Sequence, residues 1–315
     1  CRATAGDDGG RHGVGVARHA PSVESLWDGP SLASFRTSAE RAADLARRLP
    51  DAPVHPAGSF PFVIDYALAK GLAHEAFGHA AEADGYRSSV LARNGRLDVG
   101  REVGASHVSI VDEPLCDDHA WQPYSANGVL REPATIVRRG RLEDGLADLF
   151  SAVAGGVRAT GAGRAESFRS APLPRMTNIL IDVDGALPAE GRFEDYGQEE
   201  VRDLLARAGV FGRHREVAYL SGYGGGQVNT ALGDFVFQCK AIWRLSEDGV
   251  RLFRPAIFSG SMFGALRSIR EAFGPLRLDA LGWCGKWGQS VPSSGGSHWF
   301  LVLDPDPTVR LGGAA

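Results

Sequence analysis

Two histidines, His74 and His79, stand five residues apart in Leu72-Ala73-His74-Glu75-Ala76-Phe77-Gly78-His79-Ala80-Ala81-Glu82-Ala83-Asp84, an alanine-rich stretch that otherwise reads as helix. At 100° per residue, five steps turn through about 500°, which leaves the two rings roughly 140° apart on an ideal α-helix. Both can face one point only if the backbone departs from α geometry, by a π-bulge or by ending the regular helix near Gly78. The helix must also pack against something other than more helices. Glycine makes up 41 of the 315 residues, about 13% against a usual ~7%, which favours turns and strands over a bundle.

The pattern along the chain predicts an α+β architecture, largely antiparallel and barrel-like, with a few packed helices. Residues 1–30 lack periodicity and read as an irregular lead-in, leaving 31–315 as the structured domain. Thr37 with Glu40 forms a capping box, and Ala42, Leu45, Ala46 and Leu49 repeat at helical spacing until Pro50. Phe60 and Phe62 to Ile64 read as a buried strand leading into a helix from about Tyr66 to Asp84. Short strands are expected at Val108 to Val111, Thr135 to Arg138 and Asn178 to Val183. A helix around Val201 to Leu205 should end near Gly209. Phe235 to Leu245 and Val250 to Pro255 flank Glu247-Asp248-Gly249 as a hairpin. A further helix is expected from Gly264 to Phe273, and Trp299 to Leu303 as a closing strand.

Charge and cysteine content narrow the function. A formal net charge of −4 argues against a nucleic-acid surface or a polybasic membrane anchor. No run of 18 apolar residues exists, since Asp65 and Lys70 interrupt the most apolar early stretch. Four cysteines (Cys1, Cys116, Cys239 and Cys284) are too sparse for a disulfide framework and fit a reducing, cytoplasmic compartment.

The chemistry gathers on the histidine stretch. The familiar His-Glu-x-x-His spacing places two histidines on one helix face; His74-Glu75 and His79 have the same residue types with one residue more. A buried histidine beside a surface one is the competing reading. A third candidate ligand is Cys284 in Leu281-Gly282-Trp283-Cys284-Gly285-Lys286-Trp287-Gly288-Gln289-Ser290-Val291-Pro292, where flanking glycines let the backbone bend around a bound group. Two imidazoles and one thiolate would leave a fourth position open for water, as in catalytic zinc sites.

Four ordered blocks resemble the TldD/PmbA metallopeptidases, of the catalytic TldD type. They are His74-Glu75 to His79 with Glu82 and Asp84; Gly161-Ala162-Gly163-Arg164-Ala165-Glu166-Ser167-Phe168 continuing to Pro174-Arg175-Met176-Thr177-Asn178; Gly224-Gly225-Gly226-Gln227-Val228 with Gly233-Asp234-Phe235-Val236-Phe237; and Cys284-Gly285-Lys286 with Gly288-Gln289-Ser290-Val291-Pro292. The resemblance covers about Ser31 to the C-terminus and implies that family's C-terminal domain, without the further N-terminal domain of about 100–200 residues that members usually carry. It implies a zinc peptidase in which His74, His79 and Cys284 bind the metal and Glu75, on the active-site helix, handles the water proton during hydrolysis of small or unfolded peptides. Glu82 and Asp84 are the nearest carboxylates for supporting the histidines, or end-of-helix charges. The resemblance also implies a dimer, with a TldE-like partner or a second copy.

Gly224, Gly225, Gly226 and Gln227 lack the Lys-Ser/Thr ending of a phosphate loop. Beside a strand they would let a peptide backbone pair by strand addition. Arg164, Glu166, Arg175 and Asn178 either line the same cleft or form a buried polar network. Cys116 with His119 has the spacing of half a zinc site but no matching second pair. Cys239 and Ser261 are weak candidates for nucleophiles. Phe211 to Leu220 and Ser293 to Trp299 depart from the family pattern and bear on substrate preference. A peptide-like natural product is one alternative substrate. A noncatalytic scaffold subunit or a biosynthetic zinc amidohydrolase is the alternative function.

Overall fold

The computed structural model describes residues 1–7, 10–18, 23–116 and 118–314. Strands β1 (Arg2–Asp7) and β2 (Gly10–Gly15) pair antiparallel, and α1 (Gly29–Arg48) follows. Among the described residues of the first thirty the expected irregular lead-in therefore contains a strand pair, and α1 runs across the expected boundary at residue 31. Glycine-rich strands carry no apolar alternation to read. What orders them is tertiary, since Val14 packs on Ala42, Ala46 and Leu49 in a small core of its own. Asp28 caps α1 by accepting from Ser31 N at 2.6 Å. Thr37 is mid-helix, with its hydroxyl returned to Ala33 O, and Glu40 pairs with Arg36. The expected capping box has no role because the true cap lies nine residues earlier.

The body is one thirteen-stranded mixed sheet. Its main strands are β3 (Phe62–Asp65), β4 (Val108–Glu113), β5 (Ala134–Arg138), β6 (Asn178–Val183), β7 (Glu216–Asn229), β8 (Asp234–Ser246), β9 (Gly249–Phe253), β10 (Ala256–Ser261), β11 (Ile269–Arg277), β12 (Gly282–Lys286), β13 (Gln289–Leu303) and β14 (Val309–Ala314). The path runs β14-β10-β8-β7-β3-β13-β6-β4-β5 and ends on Arg141–Leu142, with β9 on β8 and with β11 and β12 on β13. Pairing is antiparallel except for β7 with β3 and β6 with β13. Among the described residues the path is open at both ends, so the sheet does not close into a barrel.

Two expectations from the C-terminal third change. The helix Met262–Ser268 stops before Ile269, and Ile269 to Phe273 join β11, paired with β13. Backbone pairing with β13 overrides the local helical pattern. Trp299 to Leu303 do not close the sheet. They are the end of the fifteen-residue β13, which bonds to β12, β6, β11 and β3 in turn and sits in the middle of the path. The predicted hairpin around Glu247-Asp248-Gly249 and the helix Gln198–Arg207 are as expected.

Between β3 and the rest of the site lies the histidine stretch. Asp65 ends β3 and caps α2 (Tyr66–Gly71) by accepting from Leu68 N at 2.9 Å, while its other oxygen accepts from Gly222 N of β7 at 2.6 Å. One carboxylate thus starts the helix and ties it to the glycine-rich strand. Burial raises its pKa above the usual carboxylate range, against these backbone donors. The helix then buries Leu68, Ala69, Leu72, Ala73, Ala76 and Phe77 in the largest core, shared with β4, β5 and β6.

Candidate metal centre

From Leu72 to Gly78 the backbone is π-helical, and His79 N–H reaches back to His74 O. In an i→i+5 helix, residues five apart lie one above the other, so the spacing that an α-helix would splay becomes a shared face. The His74 and His79 rings meet edge to face with centroids 5.1 Å apart. A one-turn 3₁₀ segment, His79–Ala81, then ends the run. Gly78 is needed for close approach, since a Cβ there would fall 1.9 Å from Met176 Sδ. Met176, on the segment leading into β6, and Ile179 of β6 therefore press directly on the helix backbone beside His79.

The third member arrives from 205 residues away. Cys284 lies buried in β12, whose hairpin with β13 turns at Trp287 and Gly288, both at positive φ. Its Sγ is 3.5 Å from His79 Nε2. One ligand atom from each of His74, His79 and Cys284 lies within 4.8 Å of the others. The buried His74 Nδ1 has no hydrogen-bond partner. Glu75 sits at the rim of the same group, with Oε2 3.9 Å from His79 Nε2 and Oε1 accepting from the Tyr223 hydroxyl at 3.1 Å.

Charges around the group explain its state. Glu82 is buried and holds His79 Nδ1 with both oxygens at 3.1 Å, leaving Nε2 turned toward Cys284. Burial disfavours a charged His79 ring, yet Glu82 and the Cys284 sulfur more than offset it and raise its pKa well above the imidazole range. His74 goes the other way: burial first, then the neighbouring Lys70 cation, keep it neutral. Glu82 is raised by burial but pulled below the ordinary carboxylate value by His79 and Lys286. Lys286 Nζ donates to Glu82 Oε2 at 2.9 Å and to Asp84 Oδ1 at 2.8 Å. Arg175 Nε donates to Cys284 Sγ at 3.2 Å and its terminal nitrogen to Cys284 O.

The donor set fits a zinc ion. Two imidazoles and a sulfur at this separation are soft-to-borderline ligands of the type zinc takes, with a carboxylate orienting one imidazole through its far nitrogen.

The remaining sequence candidates divide. Arg164, Arg175 and Asn178 are buried rather than presented along a cleft. Arg164 bridges Gln122 Oε1, Met176 O and Pro292 O, and Asn178 Nδ2 donates to Leu278 O at 3.0 Å. Their polar atoms hold the loops behind Cys284, so the network reading is the one the geometry has. Glu166 uses its backbone N–H on Gln289 Oε1. Gly224, Gly226 and Gln227 are exposed on β7, where the register slips between Tyr223 and Gly226. Beyond Leu220 no strand pairs with the other edge of β7 among the described residues. Cys116 is exposed and Asp117 beside it lies outside the described residues. Cys239 is buried, and burial raises its thiol pKa above the usual range.

Three participants had no assigned role in the sequence reading: Tyr223, Lys286 and Lys70. Tyr223 directly precedes the glycine-rich block and Lys286 falls inside the cysteine block. The lysines were legible in another way, for only Lys70, Lys240 and Lys286 occur beside 31 arginines.

The chain belongs to the TldD/PmbA metallopeptidase family: residues 57–295 match the PmbA/TldA metallopeptidase C-terminal domain. It is 31% identical over 260 residues to a metalloprotease of Methanothermobacter thermautotrophicus, covering 82% of this chain and 52% of that protein. It is 29% identical over 242 residues to a metalloprotease TldD homolog of Haemophilus influenzae, covering 75% of this chain and 45% of that one. Among solved structures, TldE from Thermococcus kodakarensis shares the fold with TM-score 0.67 at 13% identity, over 98% of this chain and 61% of TldE. A putative modulator of DNA gyrase from Thermotoga maritima gives TM-score 0.66 at 18% identity, over 98% and 60%. The chain spans about half the length of the curated relatives it matches. No described helix is long and apolar enough to cross a membrane.

Proposed function

We propose that this chain is a zinc-dependent peptidase unit in which His74, His79 and Cys284 hold the metal and Glu75 is the general base. The observation that carries the reading is the convergence of two imidazoles and one sulfur within 4.8 Å, with Glu75 beside them. A relative in Saccharolobus solfataricus, 26% identical over 248 residues, is named a zinc metalloprotease TldD homolog, which supports the choice of metal.

Zinc held here would lower the pKa of water and polarise the scissile carbonyl. Glu75 accepts the water proton and returns it to the leaving amine. Tyr223, whose hydroxyl donates to Glu75 Oε1, fixes the orientation of that carboxylate. Glu82 holds His79 in the tautomer that keeps Nε2 free, and Lys286 neutralises Glu82. A peptide docks by adding a strand to the open edge of β7 at Gly224 to Gln227. The complete enzyme acts in the cytoplasm on small or unfolded peptides, and its assembly includes a TldE-like partner or a second copy, a reading supported by the likeness of this fold to TldE.

Metal content by elemental mass spectrometry, with peptide-cleavage assays alongside, tests this. About one zinc per chain is expected, lost in Cys284→Ala and in His79→Ala. Glu75→Gln should keep the metal and lose activity by a factor of about 10² to 10⁴, with Tyr223→Phe giving a smaller loss. Zinc that survives Cys284→Ala would sink the ligand assignment, and full activity in Glu75→Gln would sink the base.

A further inference from the structure

Lys70 is a buried cation near the centre whose donors are largely unspent. It lies four residues before His74 and is 3% exposed. Its Nζ donates to Ser293 Oγ at 3.0 Å, the one hydrogen bond it makes among the described residues, so two N–H donors remain. Lys286 divides its donors among Glu82, Asp84 and Pro174 O, and Arg164 spends its own on three elements, while Arg175 is committed to Cys284 through two nitrogens and leaves its third unpartnered. Burial lowers the pKa of Lys70 to about 8, with Glu75, Cys284 and Asp118 acting in the opposite direction.

Its surroundings are shaped for a compact ammonium. Ser293 is fully buried, and Gly282 leaves the facing position bare, since a Cβ there would fall 2.7 Å from Nζ. The ammonium thus sits where α2, β12 and β13 meet, in a chain that uses arginine for 31 of its 34 strongly basic residues. A point charge with free donors is what an anionic oxygen pairs with, and such charge-assisted bonds are about twice as strong as neutral ones.

We propose that Lys70 is a carboxylate-recognition point, so that this site prefers substrates carrying a carboxylate next to the amide to be cleaved. Its neighbours Glu75 and Cys284 belong to the reacting end of the site, which places the carboxylate beside the scissile bond rather than at a distance along the peptide. Two sources share this chemistry, a free C-terminal carboxylate and an Asp or Glu side chain. The inference rests on the peptidase reading above, but binding rather than turnover tests it.

The test uses the zinc-loaded Glu75→Gln chain and titration calorimetry with three probes: Ala-Ala-Phe with a free C-terminus, the same peptide as its C-terminal amide, and amidated Ala-Asp-Phe. At least one acidic probe should bind roughly tenfold or more tightly than amidated Ala-Ala-Phe, and which one does identifies the source. Adding Lys70→Met should abolish that preference while leaving the amidated Ala-Ala-Phe within about twofold. Lys70→Gln carries the same comparison should the Met variant not fold. Equal affinity for all three probes with Lys70 present, or a preference that persists without it, overturns the proposal. Absent hydrolysis in the unmodified chain would instead count against the peptidase reading and leave these affinities readable.

Discussion

At the residue scale, the centre depends on which way each imidazole is turned. Glu82 is buried and touches His79 Nδ1 with both oxygens, so it decides that Nε2 faces Cys284. Removing its charge while keeping its shape should therefore weaken metal binding without disturbing the fold. Glu82→Gln is expected to lower zinc affinity by about 10- to 100-fold, read by competition against a chromogenic chelator. An unchanged affinity would mean that Glu82 serves only to hold Lys286. His74, His79, Glu75 and Cys284 were all legible as residue types in a pattern. Tyr223 was not, because a tyrosine in a glycine-rich run has no spacing signature that points to a carboxylate 148 positions away.

At the element scale, the extra residue between the histidines is taken up by seven residues of π-helix. The sequence posed this as a demand, and tertiary contact meets it, because Met176 and Ile179 press against the helix where Gly78 has no side chain. Gly78→Ala should push the helix off its neighbours, costing about 1–3 kcal/mol by overpacking and moving His79 away from Cys284. Urea unfolding with a zinc titration in parallel would show it, and the stability loss should shrink in a Met176→Ala background, where the two sites couple. Equal costs in both backgrounds would count against the packing explanation. Other elements show where local pattern misleads. Thr37 and Glu40 form a capping pair on paper but sit inside α1, and Ile269 to Phe273 continue a helical rhythm yet form a strand because β13 offers a partner.

At the scale of the whole molecule, β13 joins the hairpin that carries Cys284 to the sheet, and the polar cluster behind Cys284 fixes how the parts meet. Asp112 of β4 is fully buried, accepts from Thr177 N at 2.8 Å and Thr177 Oγ1 at 3.2 Å, and pairs with the buried Arg131. Arg131 in turn donates to Gly161 O and Arg175 O, the latter in the residue that grips Cys284. Asp112→Ala would leave a guanidinium uncompensated in the interior and should cost about 3–5 kcal/mol, seen as a lower urea midpoint with unchanged slope. A loss under about 1 kcal/mol would place the pair among surface-like ion pairs.

The sequence alone determined the mixed, strand-rich class, the candidate ligands and the need for a distorted helix, because these follow from residue type, glycine content and angular spacing, all of which are local; the role of Glu75 came from the family resemblance of the blocks. Only the tertiary structure decided that Arg2–Asp7 and Gly10–Gly15 pair beside α1, that β13 is central, that Arg164, Arg175 and Asn178 are buried, and that Lys70, Lys286 and Tyr223 gather around the centre. Each of these depends on contacts between segments tens to hundreds of residues apart, where burial and pairing with a distant partner outweigh local preference.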